Sequence, residues 1–406
     1  MSGLQIEISE QWRVRIVRAG AAILAIVAAL VLAQHLHAVA HRYDSFDFFN
    51  YYGWWADYWG GSNPWTDHRG LMHGCNYTPV YVELFSPLAS LDRRTAFWVW
   101  QSGQLLCVAI AVLLLAREST PPLSAALTII VLSLMLLSRP TMGVLVWGET
   151  APMLLALLCA SWFFSRRDRP AAAGLCLALA ALIKLFPAAA GGYFLFGRRW
   201  RALGWTIGFF VAGVLLTNPV HWIELVTQGL PMAYTLKGTH NGVTVLAVVR
   251  IAIAHFGGFR FSAEPLYAVW AIAGLIDLAL MAVAAEATIT SDGRADLDGL
   301  VFGLWAALAL MMSPIAWEVD TMLLLPAYLF GLLAASQSPP PRERSRNAAL
   351  LAGTALLVIC IASGLIKALA HPGIMLLLAA YFGAALIFRA RVGPKSPPGD
   401  AVSLAA

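Results

Sequence analysis

Charge is scarce in this chain. Asp, Glu, Lys and Arg supply only 12% of its 406 residues, 60% are hydrophobic and the mean hydropathy is +0.72. That balance excludes an ordinary soluble domain and fits a polytopic membrane protein. Cysteine is scarce too. Of five, Cys107, Cys159, Cys176 and Cys360 fall in apolar runs and only Cys75 lies in a loop, so no disulfide framework or cysteine metal cluster is implied. No P-loop, G-x-G-x-x-G or nucleophile elbow occurs in a suitable context. His35, His37, His41, His68 and His73 form neither H-E-x-x-H nor a Cys/His metal spacing, and read as interfacial or solvated. An internal repeat of the kind that marks many transporters is also missing. The net charge of +5 does not point to nucleic acid, because the basic residues sit in short clusters between apolar runs, where they act as topology signals. The apolar run at 19–39 lacks a small-residue cleavage site and is long enough to span a bilayer, so it reads as a retained first helix.

Apolar stretches of about 17 to 25 residues, the length needed to cross the hydrocarbon core, recur at 17–39, 95–116, 121–138, 148–165, 202–218, 265–289, 299–314, 317–335, 347–369 and 372–390. Arginine-rich clusters at 13–18, 166–169, 198–201, 342–346 and 389–395 mark the cytoplasmic loops. With the N-terminus cytoplasmic, parity requires 171–197 to leave and return as a kinked or re-entrant hairpin. The alternative is one long tilted helix, which inverts every later span. The segment breaks at Lys184-Leu185-Phe186-Pro187, where Pro removes a backbone donor and Lys needs a polar partner. The expected fold is all-α, a polytopic membrane protein of about 10–12 transmembrane or re-entrant helices. Its expected parts are a transmembrane module at 1–335, C-terminal transmembrane helices at 336–391 and a disordered tail at 392–406.

On this topology the long polar segments gather on the outer side. Loop 40–94 is too long for a connector and too aromatic for disorder, so it should fold as interfacial helices. Asp47, Tyr51, Trp54 and Tyr58 recur at helical spacing and share one face. Segment 219–264 contains an apolar run too short for a crossing, which suits a re-entrant or interfacial helix.

Four patches in fixed order carry a family likeness: SFDFFNYYGWWADYWGGSNPW; YTPVYVELFSPLA; WGETAPMLLALL with AGLCLALAALIKLFPAAA; and MMSPIAWEVDTMLLLPAYLF. Together they resemble the GT-C integral membrane glycosyltransferases and, within them, glycosyltransferase family 87. The resemblance covers roughly residues 40 to 335 and departs from the family pattern at Glu149, where Gln is usual, and at Val319-Asp320, where histidines are common. It implies inverting transfer of a sugar, with mannose the expected one, from a polyprenyl-phosphate carrier to a glycolipid or polysaccharide. It implies too that the transfer takes place at the outer face of the cytoplasmic (inner) membrane, without a nucleotide sugar.

In such a transfer a carboxylate takes the acceptor hydroxyl's proton as the lipid phosphate departs. Asp47 matches the family's loop aspartate and is the candidate base; the bland reading makes it a helix cap. Asp44, Glu318 and Asp320 are candidates for a second acid or an acceptor contact. Lys237, His240, Asn241 and Arg250 are candidates for the departing phosphate, against the alternative that Lys237 and Arg250 snorkel to headgroups. Tyr51, Tyr77, Glu149, Lys184 and Trp317 complete the set. No cofactor is expected, although Asp47 with Glu318 or Asp320 offers hard oxygen ligands of the kind that suit a divalent cation. The competing functions are a transporter or flippase for a lipid-linked sugar, for which an intramembrane Lys184 would speak, and an inactive scaffold.

Overall fold

The computed structural model describes residues 10–40, 46–66, 75–230, 245–246, 249, 266–291, 294–313 and 318–336. Among these there is no strand, and the helices follow in the order α1 (Glu10–Ala40), α2 (Phe46–Trp59), α3 (Pro79–Phe85), α4 (Arg93–Glu118), α5 (Ala125–Leu137), α6 (Arg139–Trp147), α7 (Ala151–Arg166), α8 (Pro170–Ile183), α9 (Gly192–Phe196), α10 (Trp200–Leu216), α11 (Pro219–Glu224), α12 (Leu266–Thr290), α13 (Ala295–Met311) and α14 (Leu325–Ser336). The expected spans 347–369 and 372–390 lie outside the described residues, as does the C-terminal tail.

Helix starts follow the local chemistry. Thr78, Asp92, Ser124, Ser138 and Asn218 each cap the next helix by accepting a backbone N–H, and Pro stands in the first turn after Thr78, Ser138 and Asn218. Those side chains satisfy donors that the helix itself leaves open, and Pro costs nothing there. Three stretches are single helices long and apolar enough to cross a membrane: Glu10–Val39, Arg93–Glu118 and Trp270–Thr290. Two more are bent pairs: α5 and α6 meet at 52°, and α10 turns by 106° into Pro219–Gly229. The exposed faces are apolar, with Ile23, Ile26 and Leu30 of α1 and Leu275 and Leu278 of α12 all exposed. These surfaces are what lipid tails cover.

The segment 171–197 leaves and returns. Lys184, just past the end of α8, reaches Glu149 at the start of α7, whereas Arg199 bonds Ser165 at the end of α7. The 16 residues of α7 put about 24 Å between those two ends. After Lys184 a 3-10 turn over Phe186–Gly191 and the short α9 carry the chain back. Accordingly α8 and α10 run parallel: Gly174 packs on Ala202 and Trp205, and Gly213 packs on Leu182. Both arginine clusters therefore share one end of the bundle, as the hairpin reading requires.

At the other end lie α2, the turns at 148–150 and 184–187, α11 and the 3-10 segment Glu318–Leu324. The loop after α2 is pinned there by Asn63 Nδ2, which donates to Glu224 Oε1 at 2.8 Å, and by Trp65, whose ring stacks on His221 at 4.7 Å. An aromatic cluster fills the space beneath α2, with Phe48, Tyr51, Trp54, Trp55, Tyr77, Tyr81 and Trp100 all buried. The expected loop of short helices is thus, in its described part, the aromatic α2 clamped onto the bundle, followed by α3 and a 3-10 turn over Ser86–Ser90.

Candidate active site

Two local features fix the turn that carries Glu149. Gly148 ends α6 in the left-handed region at φ 79°, where a side chain is strained. A Cβ at that position would also lie 2.6 Å from Cβ of Phe48 on α2. Trp100 Nε1 donates to the Gly148 carbonyl at 2.7 Å, and Gln101 Nε2 donates to Leu145 at 2.8 Å. Gly148→Ala is expected to lower stability by about 1–3 kcal/mol through the backbone alone, more with the clash against α2. Thermal unfolding in detergent checks this; an unchanged midpoint would mean that α2 is not docked as described.

Glu149 is buried and saturated with donors. Its Oε2 accepts from Tyr51 OH at 2.9 Å, Tyr77 OH at 3.2 Å, the Thr150 backbone N–H at 3.2 Å and Lys184 Nζ at 3.2 Å. The two tyrosine hydroxyls are 2.6 Å apart, and Tyr77 also contacts the Thr150 hydroxyl at 3.3 Å. Lys184 Nζ stands 3.5 Å from Oδ1 of fully buried Asp320 and over the Tyr77 ring at 5.3 Å. One ammonium thus bridges two buried carboxylates, the arrangement a low-dielectric interior requires of ionised groups. The Lys184 position is secured by Thr78, whose hydroxyl donates to the Leu182 carbonyl while capping α3.

Asp47, in the first turn of α2, is half-buried at the edge of this cluster. Burial pushes its carboxyl up from 3.8 to about 8; the negative charges of Glu149 and Asp320 add to the rise and Lys184 opposes it. With three carboxylates to one lysine, Asp47 is the acid that keeps its proton near neutrality, and a group titrating there suits proton transfer.

The structure therefore brings together six of the sequence-predicted residues: Asp47, Tyr51, Tyr77, Glu149, Lys184 and Asp320. Glu318 is described by its backbone alone, opening the 3-10 segment that carries Asp320. Asp44, Trp317, Lys237, His240, Asn241 and Arg250 lie outside the described residues. Thr150 and Thr78 were missed by the sequence reading; Thr78 stands directly before Pro79 and Thr150 two positions before Pro152, each at a helix start, which is the signal that could have singled them out. No group of three or more His, Cys, Asp or Glu among the described residues is arranged to hold a metal ion. The positive charge between Glu149 and Asp320 is that of Lys184.

The family model for glycosyltransferase family 87 matches residues 76–314, more than half of the chain. The chain belongs to glycosyltransferase family 87. The matched stretch includes Tyr77, Glu149 and Lys184 but neither Asp47 nor Asp320. Two curated relatives are similar at 26% identity. One is a polyprenol-phosphate-mannose-dependent alpha-(1-2)-phosphatidylinositol pentamannoside mannosyltransferase of Mycolicibacterium smegmatis, matched over 63% of this chain and 60% of its own length. The other is a polyprenol-phosphate-mannose-dependent alpha-(1-2)-phosphatidylinositol mannoside mannosyltransferase of Mycobacterium tuberculosis, matched over 73% of each chain. No solved structure matches.

Proposed function

We propose that this family 87 protein is a mannosyltransferase that uses a polyprenyl-phosphate mannose donor and a glycolipid acceptor, with the cluster around Lys184 as its catalytic centre. The observation that carries the reading is the half-buried Asp47 beside the Glu149–Lys184–Asp320 ion triad. Family membership and the names of the two relatives support the donor and the acceptor class.

In the proposed step, the Asp47 carboxylate takes the proton of an acceptor hydroxyl. The freed oxygen forms a bond to the anomeric carbon of mannose from the face opposite the phosphate, and the bond from that carbon to the phosphate oxygen breaks with its electron pair. Polyprenyl phosphate leaves as the anion and the anomeric configuration inverts. Lys184 places a fixed positive charge at the site, where it favours the developing phosphate charge; Lys237, His240, Asn241 and Arg250 remain proposed further contacts. Tyr51, Tyr77 and Glu149 hold Lys184 rather than react. We place the site at the outer face of the inner membrane because the arginine clusters occupy the opposite end of the bundle and mark the cytoplasmic side.

The pairing of Lys184 with two carboxylates at a helix break supports its place in this site over the transporter reading. The test is the pH profile of mannosyl transfer by purified protein in nanodiscs. The base acts deprotonated, so kcat/KM should rise with pH and level off above about 8. A profile flat from pH 6 to 9 would remove Asp47 from the role. Stability carries the opposite sign. The fold favours protonated Asp47, so this contribution is complete below about 3.8 and is lost as pH climbs towards 8.

A further inference from the structure

The loop after α2 meets α11 outside the carboxylate cluster, and the contacts made there run on into it. Glu224 Oε1 of α11 accepts from Asn63 Nδ2 at 2.8 Å, and Asn63 Oδ1 accepts the backbone N–H of Trp65 at 3.0 Å. Three residues earlier on α11, on the same side of the helix, His221 stacks on the Trp65 ring at 4.7 Å and meets Tyr58 edge-on at 5.8 Å. Glu224 and His221 thus hold the loop at two adjacent points. Gly229, at the end of the π-helical turn Leu225–Gly229, allows a third, because a Cβ there would run into the Cys75 carbonyl.

Trp65 is fully buried, and its Nε1 donates to the Tyr77 carbonyl at 3.2 Å. Cys75 Sγ adds a weaker contact to the same carbonyl at 3.7 Å. The Tyr77 hydroxyl reaches Tyr51, Glu149 and Thr150, and its ring lies under Lys184 Nζ. A continuous chain of contacts therefore leads from α11 through Asn63, Trp65 and Tyr77 to Glu149 and Lys184. Its outer end is built from polar groups at a cost. Glu224 Oε2 and His221 Nδ1 are buried and make no hydrogen bond among the described residues, and an unsatisfied buried group calls for an explanation other than stability. The hold that these two side chains have on Asn63 and Trp65 supplies one.

We propose that Trp65 is a positioning residue for sugar transfer: held by Glu224 and His221 of α11, it fixes the Tyr77 backbone so that Tyr77 and Glu149 present Lys184 to the departing phosphate. This rests on the role proposed above for the Lys184 cluster. Trp65 touches neither the cluster's carboxylates nor Lys184; it acts through Tyr77. A charge that stabilises a transition state must be held to within about 0.5 Å, and a misplacement of about 1 Å costs on the order of 10²-fold in rate. Loosening this chain therefore lowers the rate far more than the loss of one hydrogen bond lowers stability.

The experiment measures mannosyl transfer per folded molecule of full-length protein in nanodiscs, together with amide hydrogen exchange in the absence of substrate. Trp65→Phe keeps a ring against His221 and removes the donor to Tyr77; Glu224→Ala removes the acceptor for Asn63, and Glu224→Gln keeps one. Trp65→Phe and Glu224→Ala should each lower kcat about tenfold or more with KM for donor and acceptor unchanged, the pattern of an interaction felt only in the transition state. Glu224→Gln should stay within about threefold of wild type. Exchange over residues 76–85 should quicken in Trp65→Phe and Glu224→Ala and not in Glu224→Gln, with α13 unaffected in all three. Wild-type kcat in Trp65→Phe, a loss carried by KM alone, or a Glu224→Gln as slow as Glu224→Ala would overturn the positioning role. If wild type itself transfers no mannose, the reading of the site fails, and the exchange data still decide the contact chain: rates over 76–85 unchanged in Trp65→Phe and Glu224→Ala would overturn it.

Discussion

Asp47→Asn is expected to fold normally and to lose mannosyl transfer by about 10²–10⁴-fold, the contribution of a positioned general base. The substitution keeps the size of the side chain and removes a carboxyl that the fold holds protonated up to about pH 8. Loss of Asp47 therefore relieves an ionisation penalty, and the variant should unfold at the same temperature as wild type or higher when assayed near pH 8. This split separates chemistry from architecture. A helix-capping role would show the reverse, with lowered stability and retained transfer. Because an amide cannot be ionised, the residual activity of Asp47→Asn should also lose the rise in kcat/KM with pH. Retained transfer with an unchanged pH profile would move the base to another acid of the cluster.

Lys184→Met should produce the largest loss of stability among single substitutions at the site. The ammonium lies 3.2 Å from Glu149 and 3.5 Å from Asp320, and both carboxylates are buried. Deleting one partner of a buried ion pair costs about 3–5 kcal/mol, because charge is left without compensation. Here two carboxylates are stranded, so either they take up protons or the fold opens at the 3-10 segment Glu318–Leu324 and the Glu149 turn. The double-mutant logic follows directly. Adding Glu149→Gln and Asp320→Asn to Lys184→Met should restore much of the unfolding temperature and none of the transfer. If Lys184→Met alone is as stable as wild type, the triad is not the electrostatic centre described above.

How much of this could be read from the sequence depends on how local the cause is. The apolar runs give the helices, since about 20 apolar residues suffice to span a bilayer. The Lys184–Pro187 break was legible because Pro cannot continue a helix; that the chain turns back there followed from the parity of arginine clusters and is realised in the contacts of Arg199. Asp47 and Tyr51 could be assigned to one helical face by spacing. Their meeting with Glu149, Lys184 and Asp320 was not legible, because the partners lie far along the chain, Glu149 98 positions after Tyr51 and Asp320 136 positions after Lys184, and neither periodicity nor composition encodes long-range pairing. The family likeness suggested these positions but not that one lysine would bridge two acids. The contacts of Asp298 with Arg199, Tyr193 and Trp162 were missed for the same reason: the arginine clusters looked like topology signals, and only the packing of α13 near α7 and α9 brings Arg199 to a carboxylate.

The central claim is that this family 87 chain breaks a sugar–phosphate bond at the Lys184 cluster. It is tested most directly by offering purified wild-type protein in nanodiscs a polyprenyl-phosphate mannose labelled in the sugar, with a glycolipid acceptor, and following both products by mass spectrometry. The account predicts one mannosylated acceptor for every polyprenyl phosphate released, with inverted anomeric configuration. Donor that is bound, or carried across the bilayer, with its sugar–phosphate bond intact would contradict it.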